Sequence, residues 1–153
     1  MKDEVEKLAL EEEFEVIFLG MTLHSDYDLL EENLRKVIQG CSSRSPNRVI
    51  VVYGDDCLGL NGEMKQLIDE YGATKVDAIN CIDCLLGGNG KYLSADPENK
   101  LIFLSPGWIK YFSHKKETAT KEEQRIFKKM FKDLDGIITL DTLGNLAKHK
   151  KQI

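Results

Sequence analysis

Proline is scarce, with three in 153 residues, and no apolar run approaches the ~18 to 20 residues a bilayer-crossing helix needs. The second shortage is positive charge: 21 Lys and Arg stand against 26 Asp and Glu, a formal net charge of −5. Nucleic-acid binders driven by phosphate neutralisation need the opposite balance, so no nucleic-acid role is expected. The first thirteen residues carry Asp3, Glu4, Glu6, Glu11, Glu12 and Glu13 against Lys2 and Lys7. They lack the basic start and apolar core of a secretory signal, which predicts a cytoplasmic protein. With 42% hydrophobic and 31% charged residues, the chain has the means to build a core, and its length fits one domain. We expect an acidic segment over 1–13, a single α/β domain over 14–147 and a basic tail over 148–153.

Five short apolar runs read as strands: Phe14–Leu19, Arg48–Tyr53, Lys75–Ile79, Lys100–Leu104 and Gly136–Leu140. Helical spacing separates them. Leu29, Leu30, Leu34, Val37 and Ile38 follow a cap at Ser25 or Asp26 and meet a stop at Gly40, with a loop over Ser42–Asn47. Met64, Leu67, Ile68 and Tyr71 define a second helix closed by Gly72. Cys81–Leu86 reads as one short helix broken by Gly87 and Gly88. Ser105-Pro106-Gly107 opens a further helical stretch through Trp108, Ile109, Tyr111 and Phe112, continuing or restarting through Ile126, Phe127, Met130 and Phe131. Alternation without tight hairpin signals predicts an open, mostly parallel sheet of about five strands with helices on both faces, Rossmann-like or flavodoxin-like.

The chemistry-bearing residues follow these strands. His24, Cys57, then Cys81 and Cys84, then Gly107 and Trp108, then Asp141 and Thr142 each come shortly after a strand. In an open parallel sheet those loops share the edge at which ligands bind. Cys41 follows a helix and belongs on the opposite side. Imidazole with thiolates is the donor set of zinc or of a thiophilic iron site, and Cys81-Ile-Asp-Cys84 has a spacing that turns two sulfurs toward one ion. His24, Cys57, Cys81 and Cys84 are therefore the candidate ligands, with Asp83 behind them as an orienting acceptor. The alternative is that the cysteines are small buried apolar residues in tight loops, or that Cys81 and Cys84 form a redox pair.

Other features carry less. Gly87-Gly88-Asn89-Gly90 allows close approach of a ligand beside Asp83 and Trp108, but neither G-x-G-x-x-G nor a Walker-type motif is present. Asp55 and Asp56 are acid-base candidates or ordinary loop formers. Between Lys110 and Asp133, eight basic residues face four acidic ones, a local excess suited to a solvated face or to docking an acidic partner.

Several motifs in order resemble a known family. Tyr53-Gly54 ahead of Cys57, Asp83-Cys84 with Leu85-Leu86-Gly87, Leu104-Ser105-Pro106-Gly107-Trp108, and Asp141-Thr142 ahead of Gly144 resemble the motif series of domain-of-unknown-function family 1638. Leu23-His24 ahead of Leu29 and Leu30 resembles its leucine-histidine element. The resemblance implies metal binding and an association with corrinoid-dependent methyl transfer, with a corrinoid supplied by a partner. A rival expectation is a non-catalytic accessory module that docks on a methyltransferase or corrinoid protein. Two departures, Phe18-Leu19-Gly20-Met21 in place of an alanine-cysteine-glycine element and one extra residue before Cys57, give His24 added weight as a ligand.

Overall fold

The structure, a computed structural model, describes residues 1–8, 13–45 and 48–149. Glu11 and Glu12 of the acidic segment, Pro46 and Asn47 of the expected loop, and Lys150 and Lys151 of the basic tail lie outside the described residues. Helices and strands mix along the chain, and the residues gather into two compact units. Unit 1 comprises 1–17 and 96–153, and unit 2 comprises 18–95.

Unit 2 is built on helix α2 (Tyr27–Arg44), whose Asp26 side chain accepts a hydrogen bond from the Leu29 backbone N–H at 3.0 Å. That cap satisfies one of the N–H groups a helix start leaves open. Leu30, Leu34 and Ile38 recur on one face and are almost wholly buried. They pack with Val51, Leu58, Met64, Leu67 and Ile68 to form the core. Each such side chain contributes about 1.5–3 kcal/mol of burial. The helix does not stop at Gly40: it continues to Arg44, so Ser42 to Arg44 form its last turn rather than a loop. Gly40 keeps helical backbone, whereas Gly72 enters the left-handed region with φ 60° and closes α3 (Glu63–Tyr71).

Strand β1 (Ile50–Val51) pairs in parallel with β2 (Thr74–Lys75), Ile50 beside Thr74 and Val51 beside Lys75. Unit 2 closes with two short helices, α4 (Cys81–Leu86) and α5 (Lys91–Ala95).

Unit 1 opens with α1 (Lys2–Lys7), tied back by Thr142 Oγ1 donating to Glu4 at 2.8 Å and Lys7 donating to the Leu143 carbonyl at 3.2 Å. Strand β3 (Leu101–Leu104) runs parallel to β4 (Gly136–Thr139), with Ile102 beside Ile137 and Leu104 beside Thr139. Asp96, almost fully buried, accepts from the N–H groups of Lys100 and Leu101 and fixes the entry to β3. Between the strands lie α6 (Pro106–Thr118), with Ser105 as its cap and Pro106 in its first turn, and α7 (Lys121–Met130). The two are separate helices because Thr120 and Glu123 form a reciprocal capping box that restarts the chain.

The expected single sheet of about five strands is not what the structure shows. The described residues form two separate two-stranded parallel sheets, one in each unit, and Phe14–Leu19 is irregular. A strand needs a partner as well as β-branched and aromatic residues. This stretch spans the point where the chain leaves one unit for the other, and it makes no ladder among the described residues.

Candidate functional site

The geometry begins with two loops. One follows β1 and carries the 3₁₀ turn Asp55–Cys57; the other follows β2 and leads into α4. The Asp55 N–H donates to the Ala78 carbonyl at 3.0 Å, and the Asp56 N–H to the Ile79 carbonyl at 2.9 Å. These bonds extend the β1–β2 pairing past the strand ends. Gly54 makes the approach possible: a Cβ there would lie 2.3 Å from the Asn80 Cα and 2.4 Å from the Ile79 carbonyl oxygen. Asn80 then caps α4 through the Asp83 N–H at 2.9 Å.

The stitched loops set Cys57 against Cys81. The half-buried Cys57 sulfur faces the backbone N–H groups of Gly54 and Cys81. Burial pushes its thiol up to about 11, with the neighbouring Cys81 and Asp56 adding to the rise and the two N–H groups opposing it. Burial likewise raises the Cys84 thiol, helped by Cys81 and Asp83 and opposed by the Lys75 ammonium. Lys75 is held in place by the carbonyl of Ala78 at 3.2 Å and by Asp55 at 3.3 Å. His24, exposed on the 3₁₀ turn Met21–Ser25, stacks on Tyr53 with ring centroids 5.7 Å apart. Partial desolvation lowers its imidazole pKa, which favours the neutral form that ligates metals. Tyr53 in turn lies near enough to Cys57 to have its own ionisation suppressed, burial being the larger cause.

All four candidate ligands thus belong to unit 2, and the structure links them through neighbours: His24 to Tyr53, Tyr53 to Cys57, Cys57 to Cys81, and Cys81 to Cys84. Among the described residues no group of three or more His, Cys, Asp and Glu side chains is arranged to hold a metal ion. The donor chemistry suits a thiophilic ion, while the side chains as they stand do not form a ready cage.

The remaining candidates have other surroundings. Asp83 is fully buried. Its carboxylate accepts from the N–H groups of Ile79 at 3.0 Å, Gly90 at 3.1 Å and Tyr92 at 2.9 Å. Burial alone would raise its pKa, yet these three donors, with help from Lys91, hold it below the ordinary 3.8. It pins the loop after α4 onto the loop before it. Gly88 has φ +71° and would drive a Cβ to 2.2 Å from the Asp77 carbonyl oxygen, while Gly87 caps α4 in the left-handed region. Trp108 belongs to unit 1, where it stacks on Phe112 with ring centroids 5.4 Å apart. Asp141 accepts from the N–H groups of Asn145 and Leu146.

Sequence reasoning passed over Tyr53 and Lys75 as site residues. Tyr53 was visible within the Tyr53-Gly54 motif, but Lys75 in a two-residue strand leaves no pattern to find.

Fold and site together define a mixed helix-and-strand protein with Cys57 on a 3₁₀ turn after β1 set beside Cys81 at the start of α4, which also carries Cys84. The chain belongs to the family described as protein of unknown function (DUF1638), whose model matches residues 18–153. No curated protein and no solved structure matches it. Among the described residues no helix is long and apolar enough to cross a membrane.

Proposed function

We propose that unit 2 is a thiophilic-metal binding module, taking zinc or iron through Cys57, Cys81 and Cys84, with His24 as the nitrogen donor. The observation that supports it is the stitching of the two loops across Gly54, which puts Cys57 beside Cys81 although 24 positions separate them in the chain. Burial raises the Cys57 and Cys84 thiols, and Cys81 adds to the rise of each. A bound cation reverses that logic and deprotonates its ligands. When bound, such an ion supplies Lewis acidity and holds its ligands as thiolates. The chain's own contribution is to orient: Gly54 and Asn80 fix the loop ends, Tyr53 backs the imidazole, and Lys75 carries positive charge near Cys84. Because the donors are not pre-assembled, binding draws the sulfurs together.

Metal analysis of anaerobically purified full-length chain tests the proposal. About one equivalent of zinc or iron, falling in Cys57→Ser and Cys81→Ser, is expected. Cobalt substitution should add thiolate-to-metal absorption. Less than about a tenth of an equivalent after reconstitution would overturn it.

A further inference from the structure

Unit 1 contains a cavity of about 840 Å³ in which apolar walls and lysines meet. Its floor is the β3–β4 sheet, where the register places Ile102 beside Ile137. Its wall is an aromatic cluster from α6, α7 and the residue after α7. Phe112 meets Phe127 and Phe131 edge-to-face at 6.3 and 5.9 Å, and Phe127 stacks on Phe131 at 6.1 Å. Ile137, a sheet residue, is nonetheless 57% exposed. A volume of this size falls within the range of small-molecule sites, about 300–1,000 Å³.

The polar groups narrow the choice of ligand. Lys115, Lys116 and Lys128 line the cavity against one carboxylate, Asp135. Lys115 is engaged by Glu123 at 3.5 Å, and Asp135 lies 3.8 Å from Lys100. Neither Lys116 nor Lys128 forms an ion pair with another described residue. A neutral hydrocarbon would leave these cations without a counterpart, and a cationic amphiphile would be repelled.

We propose that this cavity binds an amphiphilic anion. Its aliphatic chain lies between the Ile102–Ile137 floor and the three phenylalanine rings, and its carboxylate or phosphate head rests on Lys116 and Lys128. Charge complementarity selects the head, and the apolar surface holds the tail. The site lies wholly in unit 1 and is independent of the thiol cluster.

The chain has a single tryptophan, Trp108, and its stacking on Phe112 makes it a built-in reporter. Dodecanoate and dodecyl phosphate, each below its micelle concentration, are titrated into the full-length chain while Trp108 emission is followed. Dodecylamine and dodecanol serve as controls. Saturable binding with Kd below about 100 µM is expected for at least one anion, the stronger of the two identifying the head group. The controls should bind at least tenfold more weakly. Lys116→Gln/Lys128→Gln should weaken the anion at least tenfold while leaving the circular dichroism spectrum unchanged. Ile137→Asp, at an exposed position that tolerates a polar side chain, should weaken it similarly. Absence of saturable binding by either anion, equal binding of dodecylamine, or wild-type affinity in the folded lysine variant would overturn the proposal.

Discussion

Asp83→Asn should destabilise unit 2 by about 3 kcal/mol at neutral pH. The carboxylate accepts Ile79 and Gly90 on Oδ2 and Tyr92 on Oδ1, all from backbone N–H groups at 2.9–3.1 Å. A carboxamide has one oxygen. Its better orientation keeps Ile79 and Gly90 and turns the NH₂ toward the Tyr92 N–H, two donors facing each other in a site with no solvent exposure. One charge-assisted bond lost is worth about 1.5–3 kcal/mol, and the two that survive weaken once the charge is gone. With a urea slope of about 2 kcal/mol/M, the midpoint should fall by about 1.5 M. The pH dependence has a definite sign. A carboxyl held below its unfolded value of 3.8 stabilises the fold above that value, and the contribution is lost as the pH falls through the depressed folded pKa. The gap between wild type and variant should therefore be steady from about pH 5 to 8 and shrink on acidification below about 4. Urea unfolding at each pH, with hydrogen exchange at Ile79, Gly90 and Tyr92, measures both effects. A variant with an unchanged midpoint and unchanged protection of those three amides would refute the argument.

Two further outcomes follow from the same loops. Gly54→Ala forces a Cβ onto the Asn80 backbone, which cannot yield as a flexible side chain would. We expect a loss of about 2–4 kcal/mol, read by denaturation, together with faster labelling of Cys57 as the loops part. Cys57 itself, with a thiol near 11 against an ordinary 9.0, should be alkylated about a hundredfold more slowly than a free cysteine at pH 8. Its rate should still be rising at pH 10, as a mass-resolved iodoacetamide time course would show, and a plateau by pH 9 would contradict the assignment.

What could be read from the sequence was the local structure. The limits of α4 follow from its flanking Asn80 and Gly87, those of α3 from its apolar period and Gly72, and the start of α6 from Ser105-Pro106. Each boundary is set by residues within a turn of it. Sheet pairing is set by residues far away, and nothing in Phe14–Leu19 says that no partner comes to it. Likewise Gly40 reads as a stop in isolation, yet its backbone stays helical and α2 continues past it to Arg44. At the site, following each strand to its end pointed to Cys57, Cys81 and Cys84, and the structure sets Cys81 near both of the others, though not on the edge of one sheet. The same rule extended to Trp108, which belongs to the other unit. Asp83 shows another limit: a carboxylate beside two cysteines suggests chemistry, while its three amide partners lie four to nine positions away and leave no recognisable motif.

Unit 2 is one uninterrupted stretch, whereas unit 1 joins the first seventeen residues to the last fifty-eight. During synthesis all the contacts internal to unit 2 can form once residue 95 has emerged. The first helix must wait, since the hydroxyl that Glu4 receives belongs to Thr142, 138 positions downstream. Closing so large a loop is slow compared with pairing near neighbours. Unit 2 can thus form ahead of unit 1, whose two segments flank it along the chain.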